Sequence, residues 1–304
     1  MAWLKKALMG GGALVGLVTL GGGGFVFAEV LAFNASLDKV YDVPLPELER
    51  STEPALLARG QHLAHTLVPC ADSGCHGADL AGGRVQDVGP LGVFAAPNIT
   101  AGGLGAAYSD PELARLLLHG IKKDGRGVRL MPSHESNWLP DEDIAAVIAY
   151  VRSVPPQNKP SNSMKVGVLA KVLDRQGLFP MDIARRIDHE HIGKGPKPSP
   201  DASYGKYLAL LCSGCHGSNL SGGPIPGAPS DMSVPLNLTP DVTGLKGFSL
   251  DDFKQVLKTG RRKQDGRQLD PFMPLESFGQ LDDVEMQALH SYLQSLPARP
   301  FGGR

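Results

Sequence analysis

The fold of this chain is decided by two stretches, Cys70-Ala-Asp-Ser-Gly-Cys75-His76 and Cys212-Ser-Gly-Cys215-His216. They contain all four cysteines of the 304-residue chain, and in each stretch a histidine directly follows the second cysteine. The similarity continues beyond the histidines, where Gly-Ala-Asp-Leu-Ala-Gly-Gly (77–83) matches Gly-Ser-Asn-Leu-Ser-Gly-Gly (217–223). Two matched copies of one motif in a single chain predict an internal duplication.

The second stretch has the Cys-x-x-Cys-His spacing that is typical of covalent attachment of c-type haem. In such a site two thiols form thioethers with the haem and the histidine is the proximal iron ligand. The first stretch has two more residues between its cysteines, so a Cys70–Cys75 disulfide and a single haem are the alternative there. We predict two covalently bound haem c groups, held by Cys70, Cys75, His76, Cys212, Cys215 and His216.

Further landmarks recur in the same order in both halves. Each half has an Asn-Ile/Leu-Thr element, a helix pattern with a serine N-cap and a glycine stop signal, a Met-Pro pair, and a last amphipathic helix that ends before a proline. These landmarks are Asn98, Ser109, Gly120, Met131, Asp141 and Pro155 in the first half, and Asn237, Ser249, Gly260, Met273, Asp282 and Pro297 in the second. The pattern predicts an all-α chain of two similar domains.

A methionine follows each histidine at a similar separation: Met131 lies 55 residues after His76, and Met273 lies 57 residues after His216. Thioether sulfur is a soft ligand that raises the reduction potential of haem iron and suits electron transfer. We predict that His76 and Met131 ligate one iron, and that His216 and Met273 ligate the other. The alternative is that these methionines only fill gaps in the core.

Several other residues near these landmarks have two interpretations each. Met232 is a competitor for the second iron, but it has no methionine counterpart in the first half and is predicted to pack in the core; the same is predicted for Met164, Met181 and Met286. His134 lies three residues from Met131 and is a competitor for the first iron. The loops before the two methionines are basic, and they either dock an acidic redox partner or form a solvated polar face; their cations are Lys122, Lys123, Arg126 and Arg129, then Arg261, Arg262, Lys263 and Arg267. The Asn-Thr pairs either bind haem propionates or cap loops; they are Asn98 with Thr100 and Asn237 with Thr239.

The composition sets limits on the class of protein. With 30 Lys and Arg against 31 Asp and Glu, the chain has no basic excess that would favour nucleic-acid binding. The 38 glycines and 25 prolines exceed the usual shares and indicate long loops between helices. Disulfides are the ordinary fate of cysteines in an oxidising compartment, but the strict pairing of cysteines before histidines favours haem.

The N-terminus carries a targeting signal. Lys5 and Lys6 precede an uncharged apolar run from Ala7 to Ala28, which is long enough to cross a bilayer as a helix. The positive flank predicts a single-pass anchor in the inner (cytoplasmic) membrane, with the rest of the chain on the periplasmic side. The alternative is a signal peptide cleaved near Val26-Phe27-Ala28, which would leave a soluble periplasmic protein.

Together these motifs resemble class I cytochromes c in tandem, and in particular the membrane-anchored dihaem cytochromes that serve as electron-transfer subunits of periplasmic dehydrogenases. The resemblance implies helices wrapped around each haem with His and Met on opposite faces. It also implies redox partner proteins, namely a dehydrogenase, other cytochromes or a terminal oxidase. The predicted division is 1–30 anchor or signal, 31–53 connector, 54–155 first cytochrome c domain, 156–200 interdomain strap and 201–298 second cytochrome c domain. We call 54–155 and 201–298 the first and second repeat, and from here on the connector is the interdomain strap 156–200.

The expected role is that of an electron carrier, not an enzyme, with no catalytic residues. The rival function is a dihaem peroxidase, which would need one haem with an open coordination position. Two His/Met-ligated haems argue against such an open site. A haem-based sensor is a third possibility, but the sequence shows no recognisable output domain.

Overall fold

The computed structural model describes residues 21–50, 52–190, 192, 195–225 and 232–304, and within them the chain is mostly helical. Residues 21–36 are helical and are called α1. The helices that follow are α2 (Pro54–His65), α3 (Asp110–His119), α4 (Ser133–Ser136), α5 (Asp141–Ser153), α6 (Val168–Arg175), α7 (Ala202–Leu208), α8 (Leu210–His216), α9 (Leu250–Thr259), α10 (Leu275–Phe278) and α11 (Asp283–Ser295). Single 3₁₀ turns occur at Gly89–Leu91, Leu104–Ala107 and Ala184–Arg186.

Equivalent helices of the two repeats begin and end with the same local chemistry. The Ser109 hydroxyl accepts a hydrogen bond from the Glu112 backbone, and the Glu112 carboxylate accepts one from the Ser109 backbone, so α3 starts with a complete capping box. Ser249 and Asp252 form the same box at α9. The two helices end at Gly120 (φ 64°) and at Gly260 (φ 68°), both in the left-handed conformation that glycine adopts without strain. These predicted boundaries are confirmed.

Each repeat is held together by a close crossing of its first and last long helices. In the first repeat α2 crosses α5 at Gly60, where an added Cβ would lie 1.9 Å from the Ala146 carbonyl oxygen. In the second repeat α7 crosses α11 at Gly205, where an added Cβ would lie 1.9 Å from the Ala288 carbonyl oxygen. Only glycine allows the two backbones to approach this closely. Both glycines begin a Gly-x-x-Leu element, Gly60-Gln-His-Leu63 and Gly205-Lys-Tyr-Leu208. These recurring elements are therefore the contact points of the helix pairs.

The hydrophobic cores of the two repeats form one continuous cluster. The predicted apolar stripe of α5 is buried in it, since Ile144, Val147 and Ile148 are each at most 1% exposed. In the matching stripe of α11, Ala288, Leu289 and Leu293 are buried, at 0%, 3% and 1% exposed, whereas Val284 at the start of the helix is 38% exposed. The periodicity of these positions buries one face of each helix, as an amphipathic pattern requires.

A small antiparallel sheet departs from the all-α prediction. Its strands are β1 (Gln86–Asp87), β2 (Gly92–Phe94) and β3 (Lys165–Val166), in the order β1-β2-β3. The register pairs Gln86 with Phe94 and Gly92 with Val166. Runs of two or three residues are too short to show the alternation of polar and apolar residues that predicts a strand. The sheet joins the connector to the first repeat, beside the widened cysteine motif.

The connector also packs on α1. Phe33 of α1 forms a small buried cluster with Ala170 of α6 and Met181. Lys171 Nζ donates to Asn34 Oδ1 at 3.0 Å. These contacts bring the N-terminal helix against the connector, on the side of the first repeat.

A buried polar cluster joins the two repeats. Arg59 of α2 donates two hydrogen bonds to Asp143 of α5, at 3.0 and 2.9 Å, and its Nη1 lies 3.3 Å from Glu285 Oε1 of α11. His62 Nε2 donates to the other Glu285 oxygen at 2.8 Å. The Glu285 side chain is 0% exposed. A carboxylate removed from water in this way is held by its two cationic partners.

Most of the predicted membrane-spanning run, residues 7–20, lies outside the described residues. Among the residues that are described, no helix combines the length and the apolar character needed to cross a membrane.

Candidate haem-binding sites

The second cysteine motif lies on a short helix. Cys212, Cys215 and His216 are all in α8, and the helix ends at Gly217 (φ 83°). Three residues apart on a helix, the two thiols share one face. Cys212 is buried and Cys215 is exposed, so the pair extends from the core to the surface.

The first cysteine motif replaces that helix by a series of turns. The His76 backbone N–H donates to the Cys70 carbonyl at 2.9 Å, which closes the loop despite its two extra residues. Within the loop, Asp72 Oδ1 accepts from the Gly74 backbone at 2.7 Å. Ser73 at the tip is exposed, and its carbonyl accepts from the Arg84 backbone at 2.8 Å. The extra residues therefore form an outward, hydrogen-bonded turn, and Cys75 still directly precedes His76.

The backbone after each histidine follows the same path. The carbonyls of His76 and His216 accept from the backbones of Gly82 and Gly222, both at 2.9 Å. Between them a leucine has a positive φ in both repeats, 55° at Leu80 and 57° at Leu220. A left-handed leucine is rare and costs energy. Its recurrence at two equivalent positions indicates that the loop after each cysteine motif, rather than chance packing, sets this conformation.

Both histidines are oriented by a backbone carbonyl. His76 Nδ1 donates to the Pro97 carbonyl at 2.8 Å, and His216 Nδ1 donates to the Leu236 carbonyl at 2.7 Å. A carbonyl accepts only from a protonated nitrogen, so Nδ1 carries the proton and Nε2 keeps its lone pair. Burial lowers the pKa of both imidazoles and favours the neutral form that binds metals. This is the arrangement of a metal-ligating histidine with its supporting hydrogen bond.

The Asn-Thr pairs hold the loop segments that carry the Pro97 and Leu236 carbonyls. Asn98 Oδ1 accepts from the backbone and the hydroxyl of Thr100, at 3.0 and 2.7 Å, and Asn98 Nδ2 donates to the Gln157 carbonyl at 2.8 Å. Asn237 makes the same bonds to Thr239 and donates to the Arg299 carbonyl at 2.7 Å. Of the two interpretations, the structure supports loop capping. Each pair links the histidine acceptor to the segment that follows the last helix.

The first repeat contains a cavity of about 480 Å³. Its lining is mostly apolar and includes Cys70, Cys75, His76 and Met131 together. His134 is absent from the described residues that line it, whereas Met164 of the connector is present. The predicted ligand and attachment residues of the first site thus meet in one cavity, and Met164 is a sulfur-bearing neighbour that sequence reasoning assigned to packing.

Met131 is positioned by the connector. The preceding Leu130 has a positive φ of 61°, and its N–H donates to the Met181 carbonyl at 3.1 Å. Next to it, Arg129 forms an ion pair with Asp182 at 3.0 Å, and both side chains are largely buried. The methionine loop is therefore tied to the connector by a backbone hydrogen bond and an ion pair.

In the second repeat, Met273 packs against the core cluster that contains Cys212. Its N–H donates to the Asp270 carbonyl at 2.9 Å, and its carbonyl accepts from Leu275 at 2.7 Å where α10 begins. Met131 makes the equivalent bond to Ser133, at 2.8 Å. The competing Met232 is partly buried, and residues 226–231 just before it lie outside the described part of the chain.

The cysteines are free thiols in a protonated state. All four are unpaired with one another, so the Cys70–Cys75 disulfide of the alternative interpretation is not formed. Burial raises the pKa of Cys70 and of Cys212 to about 12. Such thiols lack the lowered pKa of redox-active cysteines, which argues against a dithiol redox site.

The basic residues of the methionine loops have partners within the chain. In the first loop Lys122 pairs with Asp124, Arg126 with Asp38, and Lys123 donates to the Ala107 carbonyl. In the second loop the pairs are Arg262 and Arg267 with Asp265, and Lys263 with Asp252. Local neutralisation of this kind is typical of a solvated polar face, and it weakens the argument for an acidic docking partner at these loops.

The residues of the first cavity suit a covalently bound haem. Two thiols and a neutral imidazole come from one motif, a thioether comes from a separate loop, and most of the other lining residues are apolar. Cys70 and Cys75 would attach the group, and His76 with a methionine would ligate its iron. The cavity lies in the size range of cofactor sites.

Comparison with known sequences identifies the family. The cytochrome c family profile matches residues 57–155 and 202–297. The chain belongs to the cytochrome c family. The two matched regions coincide with the two repeats, so the tandem organisation predicted from the cysteine motifs is confirmed, and the cytochrome c fold explains the mostly helical architecture.

Known cytochromes of similar sequence are subunits of dehydrogenases. The fructose dehydrogenase cytochrome subunit of Gluconobacter japonicus is 28% identical over 273 residues, covering 82% of this chain and 54% of that protein. The cytochrome c subunit of the quinone alcohol dehydrogenase of Gluconacetobacter polyoxogenes is 27% identical over 281 residues, covering 81% and 57%. The gluconate 2-dehydrogenase cytochrome c subunit of Pantoea cypripedii is 36% identical over 95 residues, covering 29% and 21%. This cytochrome spans about half the length of the first two relatives.

Proposed function

We propose that this cytochrome carries electrons through two covalently bound haems, one ligated by His76 and Met131 and the other by His216 and Met273. The observation that carries the proposal is the repeated histidine geometry. Each histidine directly follows a pair of free cysteines, and its Nδ1 donates to a backbone carbonyl. In the first repeat the meeting of these groups with Met131 in one cavity adds to it.

Haem supplies the reversible one-electron chemistry, and the protein determines the potential and the access of solvent. His76 and His216 are held in one tautomer by their carbonyl acceptors, so the ligand nitrogen needs no proton transfer when the iron changes charge. Apolar side chains around the first cavity lower the local polarity. A mostly apolar site with constant ligands favours electron transfer over catalysis at the iron.

We further propose that the electron donor is a dehydrogenase and that the cytochrome is one subunit of a membrane complex. The support is the names of the relatives, which are cytochrome subunits of fructose, alcohol and gluconate dehydrogenases. Attachment of c-type haem outside the bacterial cytoplasm supports a periplasmic position for both repeats. The apolar run 7–28 after Lys5 and Lys6 would anchor the chain in the inner membrane.

The test of the haem assignment uses the full chain produced with its haem-attachment machinery. Intact mass should show two haems per chain, and the oxidised spectrum should show low-spin haem with methionine ligation. Met131→Ala and Met273→Ala should each remove that signature from one haem. Met164→Ala is the matched control in the first cavity and should leave the spectrum unchanged. One haem per chain, or one high-spin haem with peroxide turnover, would overturn the proposal.

The test of location is fractionation of cells that make the full chain. We expect the protein in the inner-membrane fraction, released by detergent and not by high salt. Co-purification should bring a dehydrogenase subunit with it. Recovery of a shortened chain in the soluble periplasmic fraction would show that the N-terminal run is a cleaved signal.

A further inference from the structure

The two haem-attachment motifs approach each other at one acidic side chain. Glu135, on α4 just after the Met131 loop, lines the first cavity together with Cys75 and His76. It also lines a small cavity between the two repeats, with Leu210 and Leu211. These two leucines begin α8, the helix that carries the second motif. Glu135 therefore faces the attachment sites of both repeats.

The electrostatics of the cysteines agree with this position. Desolvation is the first cause of the raised pKa of Cys215, and the Glu135 carboxylate is the next. For Cys75, desolvation comes first, then Asp72, then Glu135. The same carboxylate thus acts on a thiol of each motif, although the two cysteines are 140 residues apart in the sequence.

Glu135 has no acidic counterpart at the equivalent position of the second repeat. Aligning the Met-Pro pairs places Ser277 of α10 at the position of Glu135, and the neighbouring acid Glu276 is exposed to solvent. Around Glu135, the connector brings Arg186 within electrostatic reach, and His134 Nε2 lies 3.9 Å from Glu135 Oε1. The Glu135 side chain is 43% exposed, so solvent screens part of its field.

We propose that Glu135 is a shared negative charge that lowers the reduction potentials of both haems. The proposal rests on the dihaem function proposed above. A fixed negative charge stabilises the oxidised, more positive form of each haem. Because one charge acts on both sites, it shifts the two potentials in the same direction and changes the difference between them little. Arg186 opposes this effect.

The experiment is a spectroelectrochemical titration of the holoprotein at about pH 9, well above the usual carboxyl range. Glu135→Gln should change the oxidised-to-reduced ratio of both haems roughly threefold to tenfold at a given potential. A tenfold change corresponds to about 59 mV for a one-electron couple. Both potentials should rise. Glu276→Gln makes the same chemical change at the exposed neighbouring position of the other repeat and should move neither potential.

Arg186→Gln is the second variant, and it should lower both potentials. It keeps the test meaningful if Glu135→Gln loads haem poorly, which the ratio of haem to protein would reveal. A rise confined to one haem, or equal shifts in Glu135→Gln and Glu276→Gln, would overturn the shared role of Glu135. Failure of the underlying dihaem function is distinguishable, because the unmodified protein would then show fewer than two haems.

Discussion

His62 of the first repeat donates a 2.8 Å hydrogen bond to Glu285 of the second, and the Glu285 carboxylate is completely removed from solvent. Its other oxygen lies 3.3 Å from Arg59, again from the first repeat. A fully buried carboxylate thus lies on one repeat and two of its cationic partners lie on the other. Interaction between the repeats depends on these contacts as well as on the shared core.

Removing the Glu285 carboxylate should destabilise the folded chain. Glu285→Ala leaves Arg59 and His62 without their shared partner, and breaking a buried pair costs about 3 kcal/mol or more. Denaturant unfolding monitored by circular dichroism measures the change. Glu276→Ala is the matched control, since Glu276 is exposed on α10 and should change stability by less than about 0.5 kcal/mol. Equal effects in the two variants would contradict the importance of the buried cluster.

The same contact predicts a pH dependence. The hydrogen bond to Glu285 raises the pKa of His62 above its usual value. Stabilisation from protonated His62 is therefore fully present below about pH 6.5 and is lost as the pH rises through the raised pKa. Unfolding free energies of the unmodified protein and of His62→Gln should differ most below that pH and converge on the alkaline side. A constant difference from pH 5 to pH 9 would show that protonation of His62 is not involved.

Glu285 sets the lower pH limit of the stabilisation that this contact provides. Burial alone would raise the pKa of Glu285, but His62 and Arg59 outweigh it and leave that pKa lowered. A lowered carboxyl pKa contributes stability above its unfolded value of about 4.3, and this contribution is lost as the pH falls through the folded value. The pair therefore stabilises the junction of the repeats most between about pH 4.5 and pH 6.5.

The helix crossings predict that alanine is not tolerated at Gly60 or Gly205. Either substitution drives a Cβ to 1.9 Å from a backbone oxygen, so the two helices must separate. We expect a loss of about 3 kcal/mol for each, at the upper end of overpacking effects. Gly24→Ala in α1 is the control, because nothing lies within 4 Å of its added Cβ. Thermal melts that are unchanged for Gly60→Ala would exclude the close crossing.

Removing the asparagine of an Asn-Thr pair should destabilise the folded chain more than removing an asparagine near the surface. Asn237→Ala removes the acceptor of the Thr239 backbone N–H and one of the two donors to the Arg299 carbonyl, which keeps its bond from the Thr239 hydroxyl; the loss should cost about 2 kcal/mol. Asn219 also donates to backbone carbonyls, those of Gly303 and Arg304, but near the surface. Asn219→Ala should therefore cost less. Both variants should retain the optical spectrum, because neither side chain contacts a predicted iron ligand; loss of His216 ligation in Asn237→Ala alone would show that the pair also positions the histidine.

The turn in the first cysteine motif predicts an effect on haem attachment. Asp72→Ala removes the acceptor for the Gly74 backbone and loosens the loop between Cys70 and Cys75. Intact mass should show more chains with one haem than in the unmodified protein. Ser73→Ala keeps the backbone carbonyl that Arg84 uses and should load both sites normally. If Asp72→Ala loads fully, the turn has no role in maturation.

Local signals in the sequence were enough for the helix boundaries and the duplication. Ser109, Ser249, Gly120 and Gly260 determine helix ends through side-chain capping and positive φ, and these depend only on nearby residues. The cysteine motifs likewise identified the family, which the match to residues 57–155 and 202–297 confirms. The pairing of Met131 with His76 followed from recurrence alone, and the common cavity agrees with it.

Other features had no local signal. The carbonyls of Pro97 and Leu236 orient the histidines, but a backbone acceptor has no residue-type signature. The contact of Arg59 with Glu285 joins positions 226 residues apart, and no periodicity reports such a contact. The strands are only two or three residues long. Met164 enters the first cavity from the connector, where the repeat offers no equivalent position for comparison.

The chain that follows α5 returns to the loops after the first cysteine motif. Asn98 bonds to the carbonyls of Gln157 and Lys159, and Asn162 donates to the Gly83 carbonyl at 3.3 Å. A fragment of the first repeat that ends at Pro155 would therefore lose the hydrogen bonds that hold the loops after its cysteine motif. To excise the first repeat with these bonds intact, the cut must fall after residue 162, within the connector.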